Sequence, residues 1–405
     1  MEKDINRNKK RICISTLDLA SIGGTRSMAT FVYNEALKHF DPFFVYNIIP
    51  GLRSIEKDIT LWGFIKGIPP KAKKEEFASM RSIGIERVLP EFEFFNYVFN
   101  IKQWEEVMNS SNIFFAVGGS NNCALPFVFL NRNFSLWVAT TLYEDRKDRI
   151  KKESFLSKVR HYLSLPILLY FEKIVFEKAQ KILALSAYTK NKIVEKYKIN
   201  SKKIEIVSFP IKKEEFYPIE YHQRKNDYLL FTGRLNDERK NIPLLLKAFS
   251  KIKKKHPSCK LKLVGGKYSK KLSQIANELK IQNSVEVYNL VPYPQLIEHY
   301  QHAAVFVIPS FQEGLCISGL EALACGIPVI STKCGGAEDF IKGDYNGYLV
   351  ENNNVETLAA AISNFLSFSH EKRKKLSENA RSYILENHCT EKIWPKFLEC
   401  FNLSQ

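Results

Sequence analysis

The chain has 405 residues, enough for two domains of ordinary size that each bury a core. Hydrophobic residues at 45% against 25% charged residues exclude a disordered chain, and no run approaches the roughly 18 apolar residues of a membrane-spanning helix. A formal net charge of +17 points to an acidic partner or to a merely lysine-rich composition; with no helix-turn-helix, zinc-finger or aromatic RNA-binding signature, nucleic acid is set aside.

Met1 to Arg11 is polar and runs straight into Ile12-Cys13-Ile14, so no signal peptide is expected. The eight cysteines are scattered, without a Cys-x-x-Cys pair or a His cluster at zinc spacing, and read as reduced thiols of a cytosolic protein. Arg11 to Ser15 reads as a first strand and Ser27 to Lys38 as a helix. Between them lies Ser21-Ile22-Gly23-Gly24, a turn that lets backbone approach a phosphate closely and is equally plain turn chemistry. Further strands are expected at Phe43 to Ile49, Ile113 to Val117, Ser135 to Thr140, Lys181 to Ser186 and Ile204 to Ser208. Gly118-Gly119-Ser120-Asn121-Asn122 follows the second of these new strands as a loop. Arg146 to Tyr170 mixes Arg149, Lys151, Lys152, Lys158 and Arg160 with Phe155, Leu156, Val159, Tyr162, Leu163 and Leu165. Pro166 is expected to interrupt it, with a helix resuming from Phe171 to Ala179, and Thr189 to Tyr197 forming another.

Residues 209–218 contain Pro210 and Pro218, mixed charge and no periodicity, and read as an interdomain linker between a first domain, 1–208, and a second, 219–387. In the second half, strands are expected at Tyr228 to Thr232, Leu261 to Val264, Val285 to Tyr288, Val305 to Ile308, Val329 to Ser331 and Tyr348 to Val350. They alternate with helical stretches, which implies a parallel sheet; each half reads as a doubly wound, Rossmann-like α/β domain.

The apolar run Val305 to Ile308 closes on Pro309-Ser310, a polar loop follows, and Ile317, Leu320, Leu323 and Ala324 recur at helical spacing up to Gly326. The loop therefore lies at the carboxyl end of a strand, where open α/β sheets bind ligands. Glu313 precedes the helix and Glu321 sits about one turn inside it, leaning back toward the same mouth. Between them, the amides of Gly314, Leu315, Cys316 and Ile317 lie at the positive end of the helix dipole. Amides that hold an anion, flanked by carboxylates that accept from sugar hydroxyls, suit a phosphate between two hydroxyl-rich groups. A lone pair of such glutamates is more often dipole complement and solvated surface.

Pro-Ser-x-x-Glu-Gly-x6-Glu-Ala-Leu-Ala-x-Gly-x-Pro-Val resembles the motif of the retaining nucleotide-sugar glycosyltransferases of family 4, which have the two-domain GT-B fold with a cleft between Rossmann-like domains. The resemblance implies that Glu313 faces the transferred sugar and Glu321 the nucleotide ribose. Gly233-Arg234-Leu235 with Lys240 is similar to the family's Gly-Arg-Leu…Lys signature, where a planar fork and a point charge stabilise a departing diphosphate. The family places Gly after this lysine; here stand Asn241 and, before it, Arg239. By the same resemblance Gly23 and Gly24 face the donor diphosphate, Gly265 lies near the nucleotide, and backbone around Val291 holds the base. Cys334-Gly335-Gly336 resembles a loop that edges the donor site and reads equally as a tight turn. The family's His near the end of the Ser135 to Thr140 strand is missing, and the helix at 388–405 is expected to cross back onto the first domain.

The chain is thus expected to be a retaining glycosyltransferase that moves a sugar from a nucleotide diphospho-sugar to an acceptor hydroxyl, without a cofactor or metal, since no Asp-x-Asp occurs. The family resemblance implies attack from the leaving-group side, with a donor phosphate oxygen taking the proton. The implied acceptor is a carbohydrate or a lipid-linked carrier in polysaccharide, lipopolysaccharide or glycolipid synthesis. The rival readings are a GT-B phosphorylase or epimerase, and a non-catalytic sugar- or nucleotide-binding module. The basic and apolar residues of 146–170, with Trp62, Phe64 and the lysines of 61–74, leave two readings open: inward packing with solvated lysines, or attachment to the cytoplasmic face of an anionic membrane.

Overall fold

The computed structural model describes residues 9–17, 19–20, 23–49, 58–89, 93, 95–119, 121–147, 150, 154–225 and 227–403. Ser21, Ile22, Ser120, Arg149, Lys151, Lys152 and the side chain of Leu156, all considered above, lie outside that description. The chain forms two compact units, one of Met1–Val207 with Trp394–Gln405 and one of Ser208–Ile393.

The first unit is built on β1 (Arg11–Thr16), β2 (Asp41–Asn47), β3 (Ala72–Phe77), β4 (Met80–Ile85), β5 (Ile113–Gly118), β6 (Phe134–Val138), β7 (Ile182–Ala184) and β8 (Ile204–Ile206). Their order across the sheet is β3-β4-β2-β1-β5-β6-β7-β8, and every pair is parallel except β3 with β4. Apolar runs such as Ile-Phe-Phe-Ala-Val in β5 are buried on both faces, as a helix-covered parallel sheet requires. The β3–β4 hairpin is not legible in the sequence. Its turn at Ala78 and Ser79 takes φ of 48° and 65° without the usual Asn or Gly, and β3 reads Ala-Lys-Lys-Glu-Glu-Phe. Those charges suit an edge strand, where they discourage pairing with another chain.

One helix, Phe155–Lys178, runs unbroken through Pro166, against the expected interruption. Pro166 is exposed, so the hydrogen bond it removes, to the carbonyl of Tyr162, is lost where water can replace it. The inner face of this helix carries Glu172, fully buried, which accepts from Asn121 Nδ2 at 2.6 Å, from the Leu142 amide at 2.9 Å and from the Tyr197 hydroxyl. Burial pushes the Glu172 carboxyl up, and these three donors oppose it. The loop after β5 is thereby tied to the helix.

The closing helix, Thr390–Leu403, brings Trp394, Phe397 and Phe401 into the first unit. Phe397 lies edge-on to Trp137 at 4.8 Å and to Phe31 at 5.9 Å, and Phe401 meets Phe115 at 5.2 Å. Such edge-to-face pairs add to area burial.

The second unit carries β9 (Tyr228–Thr232), β10 (Lys260–Val264), β11 (Val285–Tyr288), β12 (Val305–Ile308), β13 (Val329–Thr332) and β14 (Gly347–Val350) in the all-parallel order β11-β10-β9-β12-β13-β14. Residues 209–218, read above as a linker, are part of this unit's packing. Phe209, Ile211 and Phe216 are buried, and Arg381 donates to the carbonyls of Phe216 at 2.6 Å and Lys213 at 3.2 Å. All eight cysteines are buried, and none of them forms a disulfide.

The rings of the closing helix carry a direct test. Phe397→Ala leaves a cavity among four aromatic side chains and is expected to cost about 3–5 kcal/mol, read from the denaturant midpoint of the first unit's transition.

Candidate active site

The strand order of the second sheet reverses at its centre. From β9 the chain builds outward through β10 and β11, then returns to lay β12 on the other side of β9. Loops at the carboxyl ends of β9 and β12 leave toward opposite faces and open a crevice between them, the place where such sheets bind ligands. Both sequence signatures fall on these two loops.

The loop after β9 is drawn tight by glycine. Gly233 (φ 145°) donates its amide to the Val264 carbonyl at 2.8 Å, and Gly265 (φ 116°) lies so close that a Cβ on it would stand 2.8 Å from the Gly233 oxygen. Asp237 then organises the cations. It accepts from Arg239 Nη2 at 2.9 Å, from the Arg239 amide at 3.1 Å and from Arg234 Nη2 at 2.7 Å. Burial would raise the Asp237 carboxyl, but Arg239 and Arg234 hold it down at about 2. Arg239 is thus engaged with Asp237 inside its own loop. Asn241 takes φ 47°, the left-handed conformation that Asn tolerates nearly as Gly does; this is why Asn can stand where the family has Gly.

Lys240 reaches across to the loop after β12 and donates its Nζ to Glu313 Oε1 at 2.7 Å. The same oxygen accepts from Ser310 Oγ at 2.6 Å. Burial disfavours the Lys240 ammonium, yet the Glu313 carboxylate outweighs it and holds the lysine pKa above its ordinary value. The two loops are also stitched by backbone, the Phe311 amide donating to the Arg239 carbonyl at 2.7 Å.

Glu313 is clamped from behind. Its amide donates to the Cys334 carbonyl at 2.8 Å, and the Gly336 amide donates to the Glu313 carbonyl at 2.9 Å. A Cβ on Gly336 would stand 2.3 Å from the Gly314 oxygen, so only glycine permits this approach. The 334–336 turn therefore positions Glu313, a role its sequence did not settle. Beyond Glu313, the amides of Gly314, Leu315 and Cys316 donate to no described residue. Cys316 takes φ 68° as it enters the helix Ile317–Ala324, a strained conformation for a non-glycine residue of the kind that gathers at functional sites.

Glu321, in the first turns of that helix, is half-buried and accepts from the Tyr300 hydroxyl at 2.7 Å. The Thr232 hydroxyl lies 2.7 Å from the Tyr300 oxygen and completes the chain. Burial pushes the Glu321 carboxyl up to about 7, with the Tyr300 hydrogen bond opposing. Tyr300 and Thr232 carried no separable signal in the sequence; they come from a helix and a strand end that only folding brings to Glu321, whereas Ser310 stands in the same motif as Glu313. Arg234 points its guanidinium to Asp237 and is exposed, while Val291 is half-buried just before the helix Tyr293–Gln301. Gly23 and Gly24 stand in the first unit at the start of the helix Gly24–Leu37, after β1, which is where the order of that sheet reverses between β1 and β5. A Cβ on Gly23 would meet open space.

Residues 212–383 match the model of the family described as glycosyl transferases group 1. An uncharacterized glycosyltransferase of Haemophilus influenzae is 28% identical over 216 residues, 53% of this chain and 58% of that protein. The capsular polysaccharide biosynthesis glycosyltransferase CapM of Staphylococcus aureus is 25% identical over 248 residues, 58% of this chain and 65% of that protein. The chain thus spans less than two thirds of the length of these relatives. Anabaena HepE, solved in complex with UDP and glucose, superposes with a TM-score of 0.72 at 13% identity, covering 96% of this chain and 98% of that one. The fold is the GT-B fold, and the loops after β9 and β12 lie within the residues that match that family model.

The raised Glu321 carboxyl makes stability depend on pH with a definite sign. Between about 4.5 and about 7 the folded state holds a proton that the unfolded chain releases, so this contribution is full below the window and is lost as pH rises through it. Asp237 acts in the opposite direction and only below its ordinary value of 3.8. Denaturant midpoints from pH 4.5 to 8 should therefore fall less steeply in Glu321→Gln than in the wild type; parallel slopes would place the proton elsewhere.

Proposed function

We propose that this protein is a retaining glycosyltransferase that moves a sugar from a nucleotide diphospho-sugar to an acceptor hydroxyl, of the family 4 type. The observation that carries the reading is the Lys240–Glu313 contact in the crevice beside the amides of Gly314, Leu315 and Cys316. A buried cation, a carboxylate and a run of amides within one loop pair suit a diphosphate next to a hydroxyl-rich ring.

In this reading the amides of Gly314 to Ile317 receive the diphosphate at the helix start. Lys240 has three N–H donors, so it can keep Glu313 and still reach a phosphate oxygen. Arg234 turns from Asp237 to the diphosphate and, with Lys240, offsets the charge that grows as the sugar–phosphate bond breaks. Glu313 accepts from hydroxyls of the transferred sugar, and Glu321 from the ribose. Gly265, the backbone near Val291, and Gly23 with Gly24 complete the donor contacts. The acceptor oxygen attacks from the face the diphosphate leaves. The bond from the anomeric carbon to the phosphate oxygen breaks as the new glycosidic bond forms, and the acceptor proton passes to a phosphate oxygen. No protein nucleophile is required, nor the His that this chain lacks. Cation and amide stabilisation takes the place of a metal.

CapM acts in capsular polysaccharide biosynthesis and HepE was solved with UDP and glucose; these support a nucleotide-sugar donor and a polysaccharide or related cell-surface acceptor here.

Glu313→Gln should abolish transfer while leaving nucleotide binding largely intact. The lost charged hydrogen bond is worth about 1.5–3 kcal/mol in the ground state and more in the transition state. The readout is free nucleotide released from labelled donor with and without acceptor, which also separates transfer from phosphorolysis and from mere binding. Near-normal turnover in the mutant removes Glu313 from the sugar.

Arg234→Ala and Lys240→Ala should each weaken nucleoside diphosphate binding by about 1.5–3 kcal/mol while changing nucleoside binding little. Chelation should leave turnover unchanged. A strict requirement for added magnesium or manganese would overturn the assignment of leaving-group stabilisation to these cations.

A further inference from the structure

The helix Phe155–Lys178 of the first unit is apolar on two opposite faces. Its inner face, with Leu168, Val175 and Phe176, is buried in the unit. Its outer face carries Phe155, Val159, Tyr162, Leu163, Ile167 and Tyr170, all exposed, with Phe155 at 78%, Leu163 at 69% and Tyr162 at 63%. At 100° per residue these six fall within one stripe along the helix. A helix that is apolar all round is ordinarily buried, and contiguous apolar patches of this kind on a soluble protein mark an interaction surface. The inward-packing alternative for Phe155, Val159 and Leu163 is therefore excluded.

Charge says what covers the stripe. Lys158 and Arg160 flank it on either side, and no Asp or Glu occurs from residue 154 to 171. Five basic residues against two acidic ones, between positions 146 and 153, lead into the helix. Tyr162 and Tyr170 are amphipathic rings of the kind found at the level of lipid headgroups. The same composition recurs in the short helix Leu61–Ile65, where Leu61, Trp62 and Ile65 are exposed beside Lys66. Among the described residues no helix is long and apolar enough to cross a membrane. A second copy of this chain would bring the same basic flanks against each other, which like charge disfavours.

We propose that the outer face of Phe155–Lys178 docks on an anionic lipid membrane, its apolar stripe entering the headgroup region and Lys158 and Arg160 meeting lipid phosphates. The inference rests on the first unit's surface alone and does not depend on the reading of the second unit's crevice.

The test is cosedimentation of the full chain with vesicles of phosphatidylcholine alone and of phosphatidylcholine with phosphatidylglycerol, at low and high salt. Binding to the anionic vesicles at low salt, weakened by high salt, is expected. The variant Phe155→Ser/Tyr162→Ser/Leu163→Ser should lose binding by about tenfold or more. Lys158→Glu/Arg160→Glu, which changes only surface charge, should lose anionic selectivity and keeps the test valid if the first variant misfolds. No binding of the wild type to anionic vesicles at low salt would overturn the proposal, as would equal binding by wild type and both folded variants. So would a concentration-dependent dimer in sedimentation velocity that the serine variant abolishes, which would assign the face to a second copy.

Discussion

The reversal of strand order between β9 and β12 is the constraint on which the candidate site depends. A right-handed crossover from each parallel strand puts its helix on one face of the sheet, and building outward in both directions from β9 puts the two sets of helices on opposite faces. The loops after β9 and β12 then diverge, and nothing in the sheet fills the space between them. Lys240 and Glu313, which are 73 positions apart in the chain, meet at 2.7 Å because of that topology and not through any local preference. The helix that follows β12 begins in this space, so its amides and its dipole face a crevice instead of the core.

Such an arrangement has a conformational and electrostatic cost. Cys316 at φ 68° is held in a region that non-glycine residues rarely occupy, and the backbones at Gly233 and Gly265 and at Gly336 and Gly314 approach too closely for any side chain. The Lys240–Glu313 pair is largely withdrawn from water, and desolvation of such a pair generally cancels much of its attraction. These features make poor sense as stabilising devices. They make good sense as preorganisation, in which donors and charges stand in place before a ligand arrives and need no rearrangement when charge develops on it.

The charges also divide the labour between carboxylates that look alike in the chain. Glu313 receives Lys240 and Ser310, while Glu321 receives the neutral hydroxyl of Tyr300 and is pushed up by burial to about 7. Asp237, pulled down to about 2 by two guanidinium groups, engages Arg239, while the neighbouring Lys240 reaches Glu313 on the loop after β12. Glu321 and Asp237 thus depart from an ordinary carboxylate in opposite directions, set by what each one touches.

The alternation of apolar runs with helical periods was legible from the sequence, as was the position of the crevice loops, because a buried strand and an amphipathic helix leave their periods in the chain. Glu313, Glu321, Arg234 and Lys240 stood out through the resemblance of their motifs to those of family 4 glycosyltransferases; their positions alone read as readily as solvated charges. The β3–β4 hairpin did not, because an exposed charged edge strand has no apolar face to reveal it. Nor did continuity through Pro166, which depends on that residue facing outward. Whether Phe155, Val159 and Leu163 lie inside or outside was undecidable from a helix apolar on both faces, and tertiary packing settled it by giving the core only one of them. Tertiary structure alone brought Tyr300 and Thr232 to Glu321, Ser310 and Lys240 to Glu313, and the 334–336 turn behind it. Apart from Ser310, which shares its loop with Glu313, each of these contacts joins residues from separate elements, and periodicity within an element carries no information about what a side chain meets across a sheet.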